Sequence, residues 1–142
     1  MNEFDLSNIQ SSRAATFNQD VGLNTVLEKP VGFILVGTNS EQYAAADREV
    51  RAFNIQSNTL RAKNKVILDA STEEGAMDIA KATETHRMIY LKHCVIGWYG
   101  FSNGEVEAEF TQEELLKVLA ARPLWAERLI GAIENEGNFV KG

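Results

Sequence analysis

The chain has 142 residues, 44% hydrophobic and 24% charged, with a formal net charge of −6. That length fits one domain whose core needs no covalent staple, and the composition excludes a chain disordered throughout. The acidic balance disfavours a nucleic-acid partner, whose phosphates need a basic footprint, and the single cysteine, Cys94, points to a reducing compartment.

Residues 1–12 are polar with isolated apolar positions and are expected to form a flexible arm. They lack the basic-then-apolar order of a secretory leader, and no later run approaches the roughly 18–20 apolar residues of a membrane span. The expectation is a cytoplasmic protein. Residues 13–38 are expected to be β-rich. Ala15 to Phe17 starts a strand, Asn18 to Gly22 reads as a turn, and Leu23 to Leu27 is a second short strand. Lys29-Pro30 breaks it, because proline has no N–H to give a ladder. Val31 to Val36 is an apolar run of strand length. It sets Phe33 and Leu35 on one face and Ile34 and Val36 on the other, so both faces are expected to be covered.

Residues 40–142 are expected to be mainly helical. Asn39 or Ser40 can cap a helix whose stripe is Tyr43, Ala46, Val50, Phe53, Ser57, Leu60, Asn64 and Ile67, spaced by threes and fours. The pattern predicts one continuous helix, weakened at Gln56 to Thr59, with a basic last third at Arg61, Lys63 and Lys65. Ser71 to Glu74 reads as a capping box, with Ser71 as N-cap. Its helix should run through Met77, Ala80, Tyr90 and Leu91 into Cys94 to Phe101, the densest apolar and aromatic stretch of the chain. There Gly97 and Gly100 predict a bend against which the flanking helices pack.

Ser102-Asn103-Gly104 signals a turn, and Val106 to Phe110 a short strand or extended approach. Thr111 to Glu114 is a second capping box, with Phe110 and Leu115 placed for a hydrophobic staple. Pro123 ends that helix and takes the first position of the last one, whose stripe is Trp125, Leu129 and Ile133. Glu136 to Asn138 stops it, leaving Phe139 and Val140 to dock or stay available. The predicted class is α+β: one domain over 1–142, with a small N-terminal antiparallel sheet or hairpin followed by a mainly α-helical body of about four helices.

His86, His93 and Cys94 are the residues that suggest chemistry. On one helix the two histidines stand about 10.5 Å apart along the axis, too far to share an ion held by bonds near 2 Å. Cys94 and His93, as helix neighbours, point about 100° apart. Glu73-Glu74 and Glu113-Glu114 are explained by first-turn compensation of the helix dipole. Gly97 to Gly100 lacks the Lys-Ser/Thr that completes a phosphate loop. No catalytic, metal or cofactor-binding residue is expected. The basic segment Arg61 to Lys65 is a solvated face or a contact for an acidic partner. Trp98, Tyr99 and Phe101 cannot all enter one core unless the backbone turns between them. Either they anchor the helices, or some of them join Trp125 and Phe139 in a partner-binding or self-association surface, where such residues are enriched.

The run Val36-Gly37-Thr38-Asn39-Ser40-Glu41-Gln42-Tyr43, the long helix with Arg48 and Arg51, and the stretch Cys94 to Trp98 resemble the tail assembly chaperones of long-tailed bacteriophages. Phe110-Thr111, the step Pro123 to Trp125 and the closing Asn138 to Lys141 are similar to that family too. The likeness covers roughly residues 30 to 142. It implies a non-enzymatic protein of the host bacterial cytoplasm that is absent from the finished virion. Such a protein binds the tape measure protein, keeps it soluble and promotes tail tube assembly, with the tail tube protein as a second partner. The family carries no catalytic residue, so Gly97, Trp98, Pro123 and Trp125 match as pattern positions. Weak homo-oligomerisation is expected as well, and neither nucleic acid nor membrane is an expected partner. A structural virion component (tail completion or head–tail joining) and a small acidic inhibitor or immunity-type binder are the alternative readings.

Overall fold

A computed structural model of the chain describes residues 6, 7 and 13–140, so the expected arm at 1–12 lies almost wholly outside the described residues. The elements run β1 (Thr16–Asn24), β2 (Lys29–Val36), α1 (Glu41–Lys63), α2 (Glu73–Cys94), β3 (Val95–Tyr99), β4 (Ser102–Asn103), β5 (Val106–Glu107), α3 (Gln112–Ala121) and α4 (Pro123–Glu134), then a 3-10 turn at Glu136–Phe139. The architecture is α+β: an antiparallel sheet of order β1-β2-β3 with a helical body, plus the small hairpin β4-β5.

The sheet corrects three sequence expectations. β1 runs unbroken through Asn18 to Gly22, which forms no turn but a bulge between Asp20 and Gly22. The hairpin turn lies at residues 25–28 instead. The Asn24 side-chain oxygen accepts from the N–H groups of Val26 and Leu27 at 3.0 and 3.1 Å, and Glu28 closes the turn at φ 55°. This is an Asx turn, in which the side chain imitates a backbone carbonyl. Pro30 does not break a strand; it sits near the start of β2, opposite Leu23, beyond the reach of the β3 pairing.

The third correction concerns Cys94 to Phe101. Val95 to Tyr99 is no hinge between helices but the third strand, antiparallel to β2. Gly97 continues the strand, facing Ile34 across the pair, and Ile96 is the extra residue of a bulge. Only Gly100 turns the chain, at φ +80°, where a Cβ would run into the Pro30 carbonyl. Strand alternation sends Trp98 to the face of its partner Phe33 and Tyr99 to that of Gly32. The turn at Gly100 returns Phe101 to the Phe33 side, with ring centroids 5.2 Å apart.

The core lies between the inner face of the sheet and helices α2, α3 and α4. Phe33, Leu35, Leu91, Cys94, Leu115 and Leu129 are fully buried there. On β2, Val36 is buried beside Leu35, and Ile34 is half-buried against Gly97. Ser40 caps α1, its Oγ accepting from Tyr43 N–H at 3.1 Å. The helix is continuous through Gln56 to Thr59 but ends at Lys63, before Ile67. For α2 the cap is Thr72, one residue later than expected, since its Oγ1 accepts from Gly75 N–H at 3.0 Å while Ser71 donates to Asp69. Glu74 therefore falls at N2, out of capping-box register. Thr111 caps α3, accepting from Glu114 N–H at 3.1 Å, and Pro123 holds the first turn of α4.

Candidate functional site

Of the residues that suggest chemistry, His86 and His93 lie on the seam between α1 and α2, and Cys94 lies in the main core. His86 Nε2 is hydrogen-bonded to Asn54 Oδ1 at 2.8 Å, and its ring meets Phe53 edge-on at 5.5 Å. His93 reaches Glu49 Oε1 at 3.1 Å, and Lys92 Nζ donates to both Glu49 oxygens at 2.9 and 2.8 Å. Hydrogen bonds from Lys92 and then His93 hold the Glu49 carboxyl below its ordinary range. Cys94 is fully buried, and burial, helped by the Asp47 carboxylate, pushes its thiol up to about 12. A thiol held neutral in this way is an inert core residue. Tyr90 donates its hydroxyl to Asp47 and stacks on Tyr43 at 4.9 Å. Burial, then that hydrogen bond, raises its ionisation. Among the described residues no group of three His, Cys, Asp or Glu side chains is placed to hold a metal ion. No helix among them is long and apolar enough to cross a membrane.

The five aromatic candidates divide by what they touch. Trp98 packs on Phe101 at 4.6 Å and edge-on against Phe110 at 5.3 Å, and its indole N–H donates to the Ala108 carbonyl at 3.0 Å. Trp125 meets Phe33 and Phe101 at 6.2 and 6.1 Å, under the Arg122 guanidinium at 5.0 Å. Phe139 is 4% exposed, wedged between Gly37 and the ring of Phe17, so it offers no face to a partner. Tyr99 lies on the outer face of the sheet, where its hydroxyl donates to Asp20. Trp98, Phe101 and Trp125 thus gather around Phe33, and Tyr99 and Phe139 stand apart from them.

One run of exposed apolar residues lies on the distal half of the α1–α2 hairpin. Ile55, Leu60, Val66, Ile67 and Met77 are each at least half exposed, Ile67 at 88%. The seam explains why. Its buried residues Ala46, Val50 and Ile89 all lie toward the body. Between Phe53 and Met88 only Gly75 is buried, because the positions that should close the seam are Ser57, Arg61, Ala82 and Thr85. The hairpin therefore projects as an arm of two helices without a third layer to cover it.

Where the arm joins the body, α2 and α3 form an open groove of about 530 Å³. Met88, Ile89 and Leu116 supply its apolar lining, and Lys81, Glu84 and Lys92 its charges. Met77, Lys81, Glu84 and Met88 follow one another at steps of four, three and four, so they share one face of α2 and extend the groove along the arm. Met88 packs against the core from this face, whereas Met77, farther along the arm, is 54% exposed. Charge is interleaved with them on the same face, at Lys81 and Glu84. Comparison of the chain with protein-family models, with curated proteins and with solved structures finds no match.

Proposed function

We propose that the chain is a non-enzymatic assembly chaperone of long-tailed phages. In this reading it binds the tape measure protein in the host cytoplasm, keeps it soluble and promotes tail tube assembly around it. The observation that carries the reading is the groove between α2 and α3, open to solvent and lined by Met88, Ile89 and Leu116. Its shape and chemistry suit the apolar stripe of a partner helix, held by anchors at i, i+3 or i+4 and i+7. Methionine adapts to successive stripes that differ in detail, which binding along a long polymer requires. Lys81 and Glu84 at the rim can pair with polar residues beside that stripe. A tape measure protein is a long helix that exposes such a stripe until the tube encloses it. Several copies bound along it shield the stripe by multivalency, so no single site needs high affinity.

The test is co-expression with the tape measure protein of the same genome. The reading expects that protein to move from the insoluble to the soluble fraction and to copurify with this chain. If it remains insoluble, and the chain purifies without it, the reading fails.

A further inference from the structure

We propose that the distal arm is a self-association surface, on which a second copy of this chain docks to form a four-helix bundle with two-fold symmetry. The inference does not depend on what occupies the α2–α3 groove. It starts from charge. The basic residues Arg61 and Lys63 close α1, with Lys65 just beyond, whereas α2 opens with Glu73 and Glu74 and carries Asp78 one turn later. The two helices are antiparallel, so a basic patch and an acidic patch lie side by side at the same end of the arm. Among the described residues, no ion pair engages Lys63, Lys65, Glu73, Glu74 or Asp78. The Arg61 guanidinium donates to Asn58 Oδ1 at 2.9 Å.

A surface with both signs in register is complementary to itself under a two-fold rotation. With the axis parallel to the arms, α1 of each copy lies beside α2 of the other. The basic end of one α1 then meets the acidic start of the other copy's α2, and this happens at both junctions at once. Around the axis the helices alternate in direction, the ordinary arrangement of a four-helix bundle. The same docking covers apolar residues at the level of the charges, where Leu60, Val66 and Met77 are 53%, 50% and 54% exposed. It also supplies the covering layer that the small and polar seam of the arm lacks. A nucleic-acid or uniformly charged partner would meet repulsion from one of the two patches, which a second copy does not.

Charge reversal on the full chain tests this by sedimentation equilibrium. Wild type should show a monomer–dimer equilibrium. Lys63→Glu with Lys65→Glu, and separately Glu73→Lys with Glu74→Lys, should each weaken the dimer at least about tenfold, equivalent to ~1.4 kcal/mol. Mixing the two variants should restore a heterodimer, because both junctions then regain opposite charges. Combining all four substitutions in one chain should restore a homodimer for the same reason. Far-UV circular dichroism verifies that each variant stays helical, and the two restorations separate a lost contact from a damaged helix. A wild-type chain that stays monomeric at every concentration would overturn the proposal. So would a dimer indifferent to both reversals, or variants that neither the mixture nor the combination rescues; the arm tip would then belong to a different protein.

Discussion

The indole N–H of Trp98 donates to the carbonyl of Ala108 at 3.0 Å, tying β3 to the segment that leads into α3. Ten residues separate the two, and the intervening hairpin β4-β5 folds back to make the contact, helped by the Ala108 N–H donating to the Phe101 carbonyl at 2.8 Å. The bond fixes the indole in the one orientation that also meets Phe101 and Phe110.

That geometry separates two substitutions. Trp98→Phe keeps most of the ring packing and loses the hydrogen bond, at a cost of about 1 kcal/mol. Trp98→Ala opens a cavity among Phe101, Phe110 and Phe33 and should cost about 3–5 kcal/mol. Urea denaturation of the two variants gives both numbers. An alanine variant as stable as wild type would show that the ring is not a core anchor.

Gly100 is the point where the chain leaves the sheet. Its φ of +80° and the Pro30 carbonyl beside it leave no room for a Cβ. Gly100→Ala should therefore destabilise the fold by ~1–3 kcal/mol. The loss should be largest in amide-exchange protection at β3 and the β4-β5 hairpin, which meet at this turn. Gly104 also has a positive φ, of 63°, but open space around it. Gly104→Ala should show the backbone strain without the collision, and so a smaller loss.

Alkaline pH should unfold the protein through its buried acids. Burial raises the Cys94 thiol from 9.0 to about 12, and Tyr43, Tyr90 and Tyr99 are raised as well. A group whose folded value is raised contributes stability that is complete below its unfolded value and lost as pH climbs toward the folded one. Stability should therefore hold to about pH 9 and fall steadily above it, with the thiol's share of the loss absent in Cys94→Ala. The same burial makes the thiol slow toward aromatic disulfide reagents in the native state and fast in urea. Rapid native-state labelling would mean that the thiol is not sealed in the core.

Glu49 acts in the opposite direction. Its folded value is lowered by Lys92 and His93, so its contribution is present above the ordinary carboxylate value of 4.5 and lost as pH falls below it. Glu49→Gln should flatten the acid limb of the stability curve. Because the carboxylate is 40% exposed, solvent screens the pair and the effect should be modest. Added salt should reduce it further.

Much of the helical half was legible because local chemistry fixes helix starts. Ser40 and Thr111 cap with partners three residues away, and Pro123 acts through its own fixed φ at the first helical position. The strands were harder to read. Asn18 to Gly22 carries turn-forming residues but pairs with β2, because the sheet offers more than a local turn does. Asn24, which makes the real turn, is a single residue whose other partners, the Gly100 carbonyl and Ser102 Oγ, come from far along the chain. β3 was hidden by its glycine, Gly97, and by Gly100 just beyond it. Gly97 reads as a break in isolation, yet its missing side chain is what admits Ile34 Cδ1, which would stand 3.2 Å from a Cβ there. The groove was hidden by the usual sense of an apolar helical stripe. Met88 packs against the core and lines the groove at the same time, while Met77, on the same face, is left exposed by the small and polar seam of the arm.

Site-specific photo-crosslinking tests the central claim, that the α2–α3 groove receives a helix of the tape measure protein. A photoreactive residue replaces Leu116, in the groove, or Leu124, on α4 and 74% exposed, as an equally apolar control. With the tape measure protein co-expressed, the account predicts a crosslink from position 116 to an apolar helical stripe of that protein, and none from position 124. Crosslinks from 124 alone, or from neither position while the two proteins still copurify, would contradict it.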